Sequence, residues 1–173
     1  MNVIDATSFG TPLGEMTVCA TGKGICLFEF SDRRMLNTEF SDLKKHLKSE
    51  IRIGENKFFP VLKRQMLEYF EGKRKEFDLP LHTPGTEFQN KVWQELIRIP
   101  YGRTRSYLEQ AKTLGDPKAI RAVAGANGAN RIAIIIPCHR VIGSDGSMTG
   151  YGGKVWRKKW LLEHEQGIKE LFS

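Results

Sequence analysis

Residues 134–141, with the sequence IIIPCHRV, restrict the fold most strongly because an apolar run, a proline and two reactive side chains follow one another there. The three β-branched isoleucines predict a buried strand. Pro137 has no N–H to donate, so regular strand pairing should end there. Cys138 and His139 come next, at the strand's end, where a side chain can face a cavity. A thiolate there would be a strong nucleophile, whereas a buried structural cysteine is the alternative interpretation.

Two capping boxes predict helix starts upstream of this stretch. Residues 86–89 (TEFQ) and 106–109 (SYLE) each place Thr or Ser three residues before Gln or Glu, as a capping box requires. Asp116 and Pro117 predict a third helix over 118–126, with aspartate at the N-cap. The second and third helices, joined by a turn, are typical of a helix-turn-helix. The first helix should bury an apolar face formed by Phe88, Val92, Leu96 and Ile99.

The third predicted helix carries mostly alanine, valine and glycine beyond Lys118 and Arg121. Such a helix cannot read base edges with bidentate donors, but it can lie close against a groove wall with Arg121 projecting. The distribution of charge agrees with binding to an anionic groove. Residues 84–173 carry 14 Lys and Arg against 8 Asp and Glu, whereas residues 1–83 carry 13 against 12. The sequence therefore favours shape-based binding of nucleic acid by the second half of the chain.

The three cysteines lack regular spacing, which argues against a disulfide framework and favours a reducing compartment. Cys19 and Cys26 lie in predicted strands and are interpreted as small buried side chains. The chain has no apolar run of roughly 18 residues, and its start lacks the pattern of a signal peptide. We therefore expect a cytoplasmic protein that makes no membrane contact.

The sequence predicts an α+β fold in two domains, an N-terminal α/β bracing domain over 1–83 and a C-terminal domain over 84–173. After the helix-turn-helix, Val141-Ile142 and Met148-Thr149 flank a Ser-Asp-Gly turn and predict a hairpin. A helix-turn-helix followed by a hairpin is the outline of a winged helix. The remaining predicted elements are strands 14–19 and 25–30, a helix over 41–49, a helix from 58 to Gly72, an edge strand over 77–81, a flexible loop over 150–153 and a basic helix over 154–165. In that last helix, Trp156, Trp160 and Leu161 should face inward and Arg157, Lys158 and Lys159 should be mostly solvated.

Four motifs together resemble the O6-alkylguanine-DNA alkyltransferases, also called methylated-DNA–protein-cysteine methyltransferases. They are IPYG at 99–102, RAV at 121–123, PCHRV at 137–141 and WLLEHE at 160–165. The resemblance covers 84–173 in order and is weaker in the first half, mainly TPLG at 11–14. It implies a ribonuclease H-like N-terminal domain and a C-terminal winged-helix domain that carries the active cysteine.

The resemblance implies DNA repair by direct reversal in a monomeric protein. Double-stranded DNA would be bound by shape from the minor groove, and a damaged guanine would be flipped out. Its O6-alkyl group would pass irreversibly to Cys138, once per protein molecule and without a cofactor. Activity on O4-alkylthymine and cooperative binding on DNA stay open.

Matching the motifs position by position implies the site residues. Cys138 is the alkyl acceptor, Glu165 orients His139, and His139 takes the thiol proton through a water. Asn130 holds the turn that contains the cysteine, and Tyr107 serves guanine N3 and helps to rotate the phosphate. The implied DNA-binding residues are Arg121, which fills the gap left by the base, with Ala122, Ala124, Gly125 and Tyr107. The implied pocket residues are Val141, Tyr151, Gly152, Gly153 and Lys158.

The chain departs from the family pattern at several positions. Arg131 stands where proline is usual, which predicts a looser loop or an extra phosphate contact. Gln166 replaces a common glycine, and Ala133 leaves the tolerance for large alkyl groups open. Asn2 and Thr21 occupy two positions that bind a structural zinc in some members, so no metal is expected.

Two other functions compete with alkyl transfer. The first is a winged-helix protein that binds alkylated bases without repairing them. The second is a cysteine hydrolase with a Cys-His-Glu triad, which would turn over repeatedly and would not need Arg121.

Overall fold

The structure, a computed structural model, describes residues 2–148 and 150–168, which form two compact units. The first unit contains the chain up to Gly85 together with Arg131–Ala133, and the second contains Thr86–Asn130 and the chain from Ile134 onwards. The α+β class predicted from the sequence is confirmed, since a sheet dominates the first unit and helices the second. The two domains predicted from the sequence, 1–83 and 84–173, are each continuous in the chain. The prediction therefore placed residues 131–133 in the C-terminal domain, whereas they belong to the first unit.

The first unit is built on a four-stranded sheet with the order β3-β2-β1-β4. β1 (Val3–Thr11), β2 (Gly14–Ala20) and β3 (Ile25–Phe30) are consecutive antiparallel strands, and β4 (Glu50–Ile53) pairs parallel with β1. The two predicted hairpin strands are confirmed as β2 and β3. The sequence did not indicate β4, because its four residues are mostly exposed and show no apolar alternation.

Two helices complete the first unit, α1 (Leu36–Leu47) and α2 (Phe58–Phe70). Both were predicted, although α1 begins five residues before the expected start. The predicted edge strand over 77–81 is present at one residue only, since Leu81 forms a single parallel bridge with Ile25 of β3. The rest of the segment is irregular. Its backbone is bound by a side chain of α2, since the Gln65 amide donates to the carbonyl of Asp78 at 3.1 Å and accepts from its N–H at 3.0 Å.

Residues 131–133 return to the first unit by pairing with β3. The N–H of Phe28 donates to the carbonyl of Arg131 at 2.8 Å, and its carbonyl accepts from the N–H of Ala133 at 2.7 Å. The Arg131 guanidinium donates to the carbonyl of Pro84 at 2.7 Å and lies 3.7 Å from the carboxylate of Asp42. Arginine at this position therefore fixes the loop, contrary to the expected loosening, and protein groups already hold its charge.

The second unit begins with the two predicted capping boxes, and both are confirmed. Thr86 caps α3 (Glu87–Ile97) and Ser106 caps α4 (Tyr107–Thr113), each with reciprocal side-chain and backbone hydrogen bonds. The predicted buried face of α3 is confirmed except at Phe88, which is 38% exposed. Trp93 takes the inner position instead and is buried.

Helix α5 (Ile120–Gly128) follows α4 after a turn and completes the helix-turn-helix. The predicted N-cap at Asp116 is wrong, because its carboxylate accepts from the N–H of Lys118 at 2.9 Å and closes a separate turn before the helix. Two buried contacts hold α5 in place. The indole N–H of Trp93 donates to the carbonyl of Ala126 at 2.9 Å. The side-chain amides of Gln110 and Asn127 exchange hydrogen bonds at 2.9 and 2.8 Å.

The predicted strand over residues 134–136 is wrong. These isoleucines are buried, but they form a turn in which Ile134 has a φ of 71°. A positive φ costs a β-branched residue on the order of 1–3 kcal/mol, so the surrounding packing must impose it. After Pro137 the chain forms a 3-10 turn, Cys138–Arg140, and then β6 (Val141–Ile142), which pairs parallel with β5 (Arg105–Ser106).

The predicted hairpin after Val141-Ile142 is present only as its turn, in which Gly143 N–H donates to the Ser147 carbonyl at 2.9 Å. Thr149 lies outside the described residues. The last helix, α6 (Val155–Gln166), agrees with the prediction in extent. Its predicted inward and outward faces are wrong at three positions. Trp156 is 54% exposed, whereas Arg157 and Lys158 are 4% and 1% exposed.

Candidate active site

Cys138 begins the 3-10 turn of the second unit and is partly exposed. Asn130 is buried beside it, and its side-chain amide donates to the carbonyl of Ile136 at 2.8 Å and to Sγ of Cys138 at 3.3 Å. The amide therefore fixes the turn before the cysteine and contacts its sulfur directly. An amide N–H directed at sulfur favours the thiolate form over the thiol.

The other two cysteines are unsuited to chemistry. Cys19 and Cys26 are buried in the sheet of the first unit. Burial raises the pKa of Cys26 to about 12, and burial together with the nearby Cys26 raises the pKa of Cys19 further. The interpretation of both as packing residues agrees with this environment. Cys138 is thus the thiol with access to a reagent.

A buried carboxylate from α6 joins two consecutive residues of the 3-10 turn. One oxygen of Glu165 lies 2.8 Å from Nε2 of His139. Arg140 donates to both oxygens of the same carboxylate, at 2.7 and 3.0 Å, and also to the carbonyl of Ile99 at 2.7 Å. The bidentate arginine supplies the charge that a buried carboxylate needs.

The protonation state of this group follows from its surroundings. Burial alone would raise the pKa of Glu165, but the hydrogen bonds from His139 and Arg140 hold it well below its usual range. Burial lowers the pKa of His139, and the Glu165 hydrogen bond offsets this only in part. At neutral pH the carboxylate is ionised and the imidazole neutral. Because an ionised carboxylate only accepts hydrogen bonds, Nε2 of His139 must carry the proton and Nδ1 must be the basic atom.

Nδ1 of His139 is buried, and none of the described residues offers it a hydrogen-bond partner. A basic atom in this state can accept a proton from a neighbouring group through one water. The sequence argument for a bridging water assumed a regular strand, which is wrong, since Cys138 and His139 lie in a 3-10 turn. A bridging water between the thiol and Nδ1 is supported instead by the unfilled hydrogen-bonding capacity of Nδ1.

The approach to Glu165 depends on a glycine in the turn that follows α3. Gly102 has a φ of 80°, and a β-carbon there would lie 3.1 Å from the Glu165 carbonyl oxygen. Its N–H donates to the Glu165 carboxylate at 3.5 Å. The IPYG motif therefore provides a residue small enough to let the end of α6 come close.

Tyr107 and Lys158 lie together near Cys138. Nζ of Lys158 is 5.9 Å from the centroid of the Tyr107 ring. Burial raises the pKa of Tyr107, and the Cys138 charge adds to this, so the phenol keeps its proton. Burial lowers the pKa of Lys158, and the same Cys138 charge opposes that shift. The thiol therefore lies within electrostatic reach of both a hydrogen-bond donor and a buried cation.

The remaining predicted pocket residues lie on β6 and on the loop before α6. Val141 and Tyr151 are buried, Gly153 is buried, and Gly152 is exposed. A β-carbon on Gly150 would be 3.7 Å from the Tyr107 hydroxyl, which places this loop beside Tyr107.

The predicted DNA-binding residues of α5 share an exposed surface. Arg121, Ala122, Ala124 and Gly125 are all exposed, whereas Val123 and Ala126 face the interior. A β-carbon on Gly125 would meet no atom within 4 Å. The helix therefore presents a nearly flat surface from which one long cation projects.

Two arginines with buried contacts at this site were not assigned from the sequence. Arg140 was quoted only as part of a motif, because the sequence did not indicate that the carboxylate predicted at 165 is buried and therefore needs a cation. Arg157 was placed in solvent, because a cation on an amphipathic helix is normally exposed. Its guanidinium donates instead to the carbonyl of Gly153 at 3.3 Å.

Within residues 2–148 and 150–168, no cluster of three or more His, Cys, Asp or Glu side chains could hold a metal ion. In the same part of the chain, every helix is too short or too polar to cross a membrane.

Comparison with known proteins gives the same family for both halves of the chain. Residues 6–83 match the ribonuclease-like domain of 6-O-methylguanine DNA methyltransferase, and residues 87–167 match its DNA binding domain. The first match agrees with the ribonuclease H-like domain implied by the resemblance.

Individual relatives cover nearly the whole chain. A methylated-DNA–protein-cysteine methyltransferase of Methanosarcina barkeri is 46% identical over 83% of this chain and 91% of its own. The constitutive enzyme of that name from Bacillus subtilis is 43% identical over 92% and 94%. The crystal structure of Mycobacterium tuberculosis OGT in complex with DNA superimposes with a TM-score of 0.81, at 38% identity and 96% coverage of both chains. The chain belongs to the 6-O-methylguanine DNA methyltransferase family.

Proposed function

We propose that this protein repairs DNA by transferring the alkyl group of O6-alkylguanine to its own Cys138. The observation that carries the proposal is an accessible thiol beside a buried imidazole, whose Nε2 is bonded to Glu165, so that Nδ1 is left as the proton acceptor. This arrangement lies in the unit that also contains the helix-turn-helix. Family membership supports the same function.

The reaction is one in-line displacement. His139 Nδ1 takes the thiol proton through a water, and the Cys138 sulfur attacks the alkyl carbon. The S–C bond forms while the C–O6 bond breaks, and the bonding electron pair leaves with guanine. The product is a thioether, which thiol exchange cannot reverse. Each protein molecule therefore acts once.

Guanine leaves as an anion unless it receives a proton or a hydrogen bond. Tyr107 keeps its proton in this site, and its hydroxyl serves guanine N3. The N–H groups of Gly152 and Gly153 meet O6, and Val141 and Tyr151 enclose the base. Lys158 adds a positive charge that favours the thiolate before attack and the leaving group after it.

The damaged base must leave the double helix to reach Cys138. The small side chains of α5 allow this helix to lie close in the minor groove, and its contacts to the backbone carry no sequence information. Arg121 fills the gap that the extruded nucleotide leaves. The protein acts as a monomer in this scheme.

The proposal is tested by intact mass after incubation with duplex DNA that contains O6-methylguanine. We expect a gain of one methylene group, which peptide mapping places on Cys138. An unchanged mass with retained DNA binding would favour the rival function of a binding module. Repeated turnover of a small acyl substrate, without a mass change, would favour the hydrolase.

Replacing Arg121 with alanine tests the role of α5. We expect methyl uptake from duplex DNA to slow by roughly tenfold or more, because the flipped state loses the side chain that replaces the base. Alkylation by free O6-benzylguanine, which needs no flipping, should keep its rate. The matched control is Lys118→Ala, which removes an exposed cation just before the helix. Equal slowing of both reactions in Arg121→Ala would contradict the role.

A further inference from the structure

The loop over residues 150–154, called here the pocket loop, breaks several local rules of helix formation. Gly150 and Lys154 have φ values of 79° and 78°, and Lys154 is not a glycine. Lys154 also occupies the N-cap of α6, where Ser, Thr, Asp or Asn is preferred, and its side chain makes no capping hydrogen bond. Violations of this kind concentrate at functional sites.

Arg157 breaks a further rule. It is the third residue of α6, and the helix dipole disfavours a cation in the first turn. Glutamate or glutamine at this position would support a capping box. The residue is nevertheless only 4% exposed, and burying a guanidinium has a cost of its own. Helix formation therefore does not explain an arginine here.

The contacts of Arg157 show what the side chain does. Nη1 donates to the carbonyl of Gly153 at 3.3 Å, and the guanidinium carbon lies 4.9 Å from the centroid of the Trp156 ring. The same peptide group is held from its other end, since the N–H of Lys154 donates to the carbonyl of Tyr151 at 3.1 Å. The peptide between Gly153 and Lys154 is thus fixed through both its polar atoms.

The hydrogen bond from Lys154 to Tyr151 makes Gly152 and Gly153 the two central residues of a turn. The turn's own hydrogen bond uses the N–H of Lys154, so it does not consume the N–H groups of the two glycines. Glycines have wide backbone freedom, and one hydrogen bond leaves such a turn easy to reorient. The hydrogen bond from Arg157 to the carbonyl of Gly153 is a second contact at the end of the turn, and it restricts the direction of the glycine N–H groups.

We propose that Arg157 is a positioning residue for alkyl transfer, which fixes the pocket loop so that its backbone N–H groups meet O6 of the flipped base. This inference rests on the proposed function. The guanidinium acts through Gly153 and does not touch the reacting atoms. It is not part of the thiol-activating group, since that group consists of His139 and Arg140 in the 3-10 turn and Glu165 near the opposite end of α6.

The experiment compares Arg157→Met, which keeps the length of the side chain and removes the donor, with Arg157→Lys. The control is Lys159→Met, which removes an exposed cation from the same helix. Two rates are measured, methyl transfer from O6-methylguanine duplex and carboxamidomethylation of Cys138 by iodoacetamide. The second reaction needs the activated thiol but has no O6 to stabilise.

We expect Arg157→Met to slow the maximal rate of methyl transfer by roughly 10- to 100-fold, because small displacements of a catalytic contact have effects of this size. The iodoacetamide rate and the affinity for undamaged duplex should match those of the wild type. Arg157→Lys should recover part of the loss, and Lys159→Met should show none.

Three results would overturn the inference. They are an unchanged transfer rate in Arg157→Met, equal slowing of transfer and iodoacetamide reaction, and a loss confined to DNA affinity. If Arg157→Met fails to fold, Arg157→Gln and Arg157→Lys support the same comparison of rates. A wild-type protein that takes up no methyl group would instead refute the proposed function itself.

Discussion

We expect replacement of Cys138 with alanine to abolish methyl uptake and to leave binding to duplex DNA nearly unchanged. The proposed reaction has no other acceptor, because Cys19 and Cys26 are buried in the first unit with raised pKa values. The proposed binding surface on α5 does not include the thiol. We expect an intact mass without added methylene, and a Kd within about twofold of the wild type, since contacts to the DNA backbone determine affinity.

The matched control is Cys26→Ala, which removes a thiol and should retain full methyl uptake. Methylation of another residue in Cys138→Ala would refute the assignment of the acceptor. Loss of DNA binding in the same variant would show that the cysteine turn also shapes the binding surface.

Replacing Glu165 with glutamine should have the second largest effect, on both stability and rate. A neutral amide leaves the buried charge of Arg140 without its partner, and breaking a buried ion pair typically costs about 3–5 kcal/mol. His139 also loses the anion that keeps its proton on Nε2. We expect methyl transfer to slow at least about 100-fold, the lower range of general base catalysis.

The pH dependence of the free energy of unfolding distinguishes the loss of the Glu165–Arg140 ion pair from other causes of instability. Glu165 has a lowered pKa in the folded state, so its contribution to the free energy of unfolding is complete above its unfolded pKa of about 4.3 and falls at lower pH. His139 is held neutral by burial, which adds a further loss below its unfolded pKa of about 6.5. Both effects make the wild type less stable in acid.

Urea unfolding at pH 7 and pH 4 measures the predicted difference. The gap in unfolding free energy between wild type and Glu165→Gln should narrow at the lower pH, because the wild-type carboxylate begins to lose its advantage there. Glu163→Gln is the control, since its partner Lys159 is 3.9 Å away and largely exposed, and such surface pairs contribute little. A gap that stays constant between the two pH values would contradict the role of the ionised carboxylate.

Elements that depend on neighbouring residues were predicted well from the sequence. Both capping boxes are local, because Thr86 and Ser106 bond to residues three positions later. The first helix of the helix-turn-helix followed from the second box, whereas the start of its second helix was predicted at the wrong residue. The roles of Cys138, His139 and Glu165 were predicted from the resemblance of their motifs to those of the family.

Elements that depend on distant contacts were not predicted. Three buried isoleucines fit a buried turn as well as a strand, and in the structure the side-chain amide of Asn130 holds the turn by donating to the carbonyl of Ile136. The orientation of α6 was wrong for a similar reason. Amphipathic patterns assign cations to solvent, yet Arg157 and Lys158 are buried, since Arg157 bonds to the carbonyl of Gly153 and Lys158 lies over the ring of Tyr107.

The carboxylate that joins His139 and Arg140 comes from α6, which follows the cysteine turn in the sequence and packs back against it. The tautomer that leaves Nδ1 as the proton acceptor therefore exists only while α6 is docked on this turn. A local opening that separates the two segments would leave Cys138 without a prepared base, so the reactivity of the thiol depends on the packing of a helix that does not contain it.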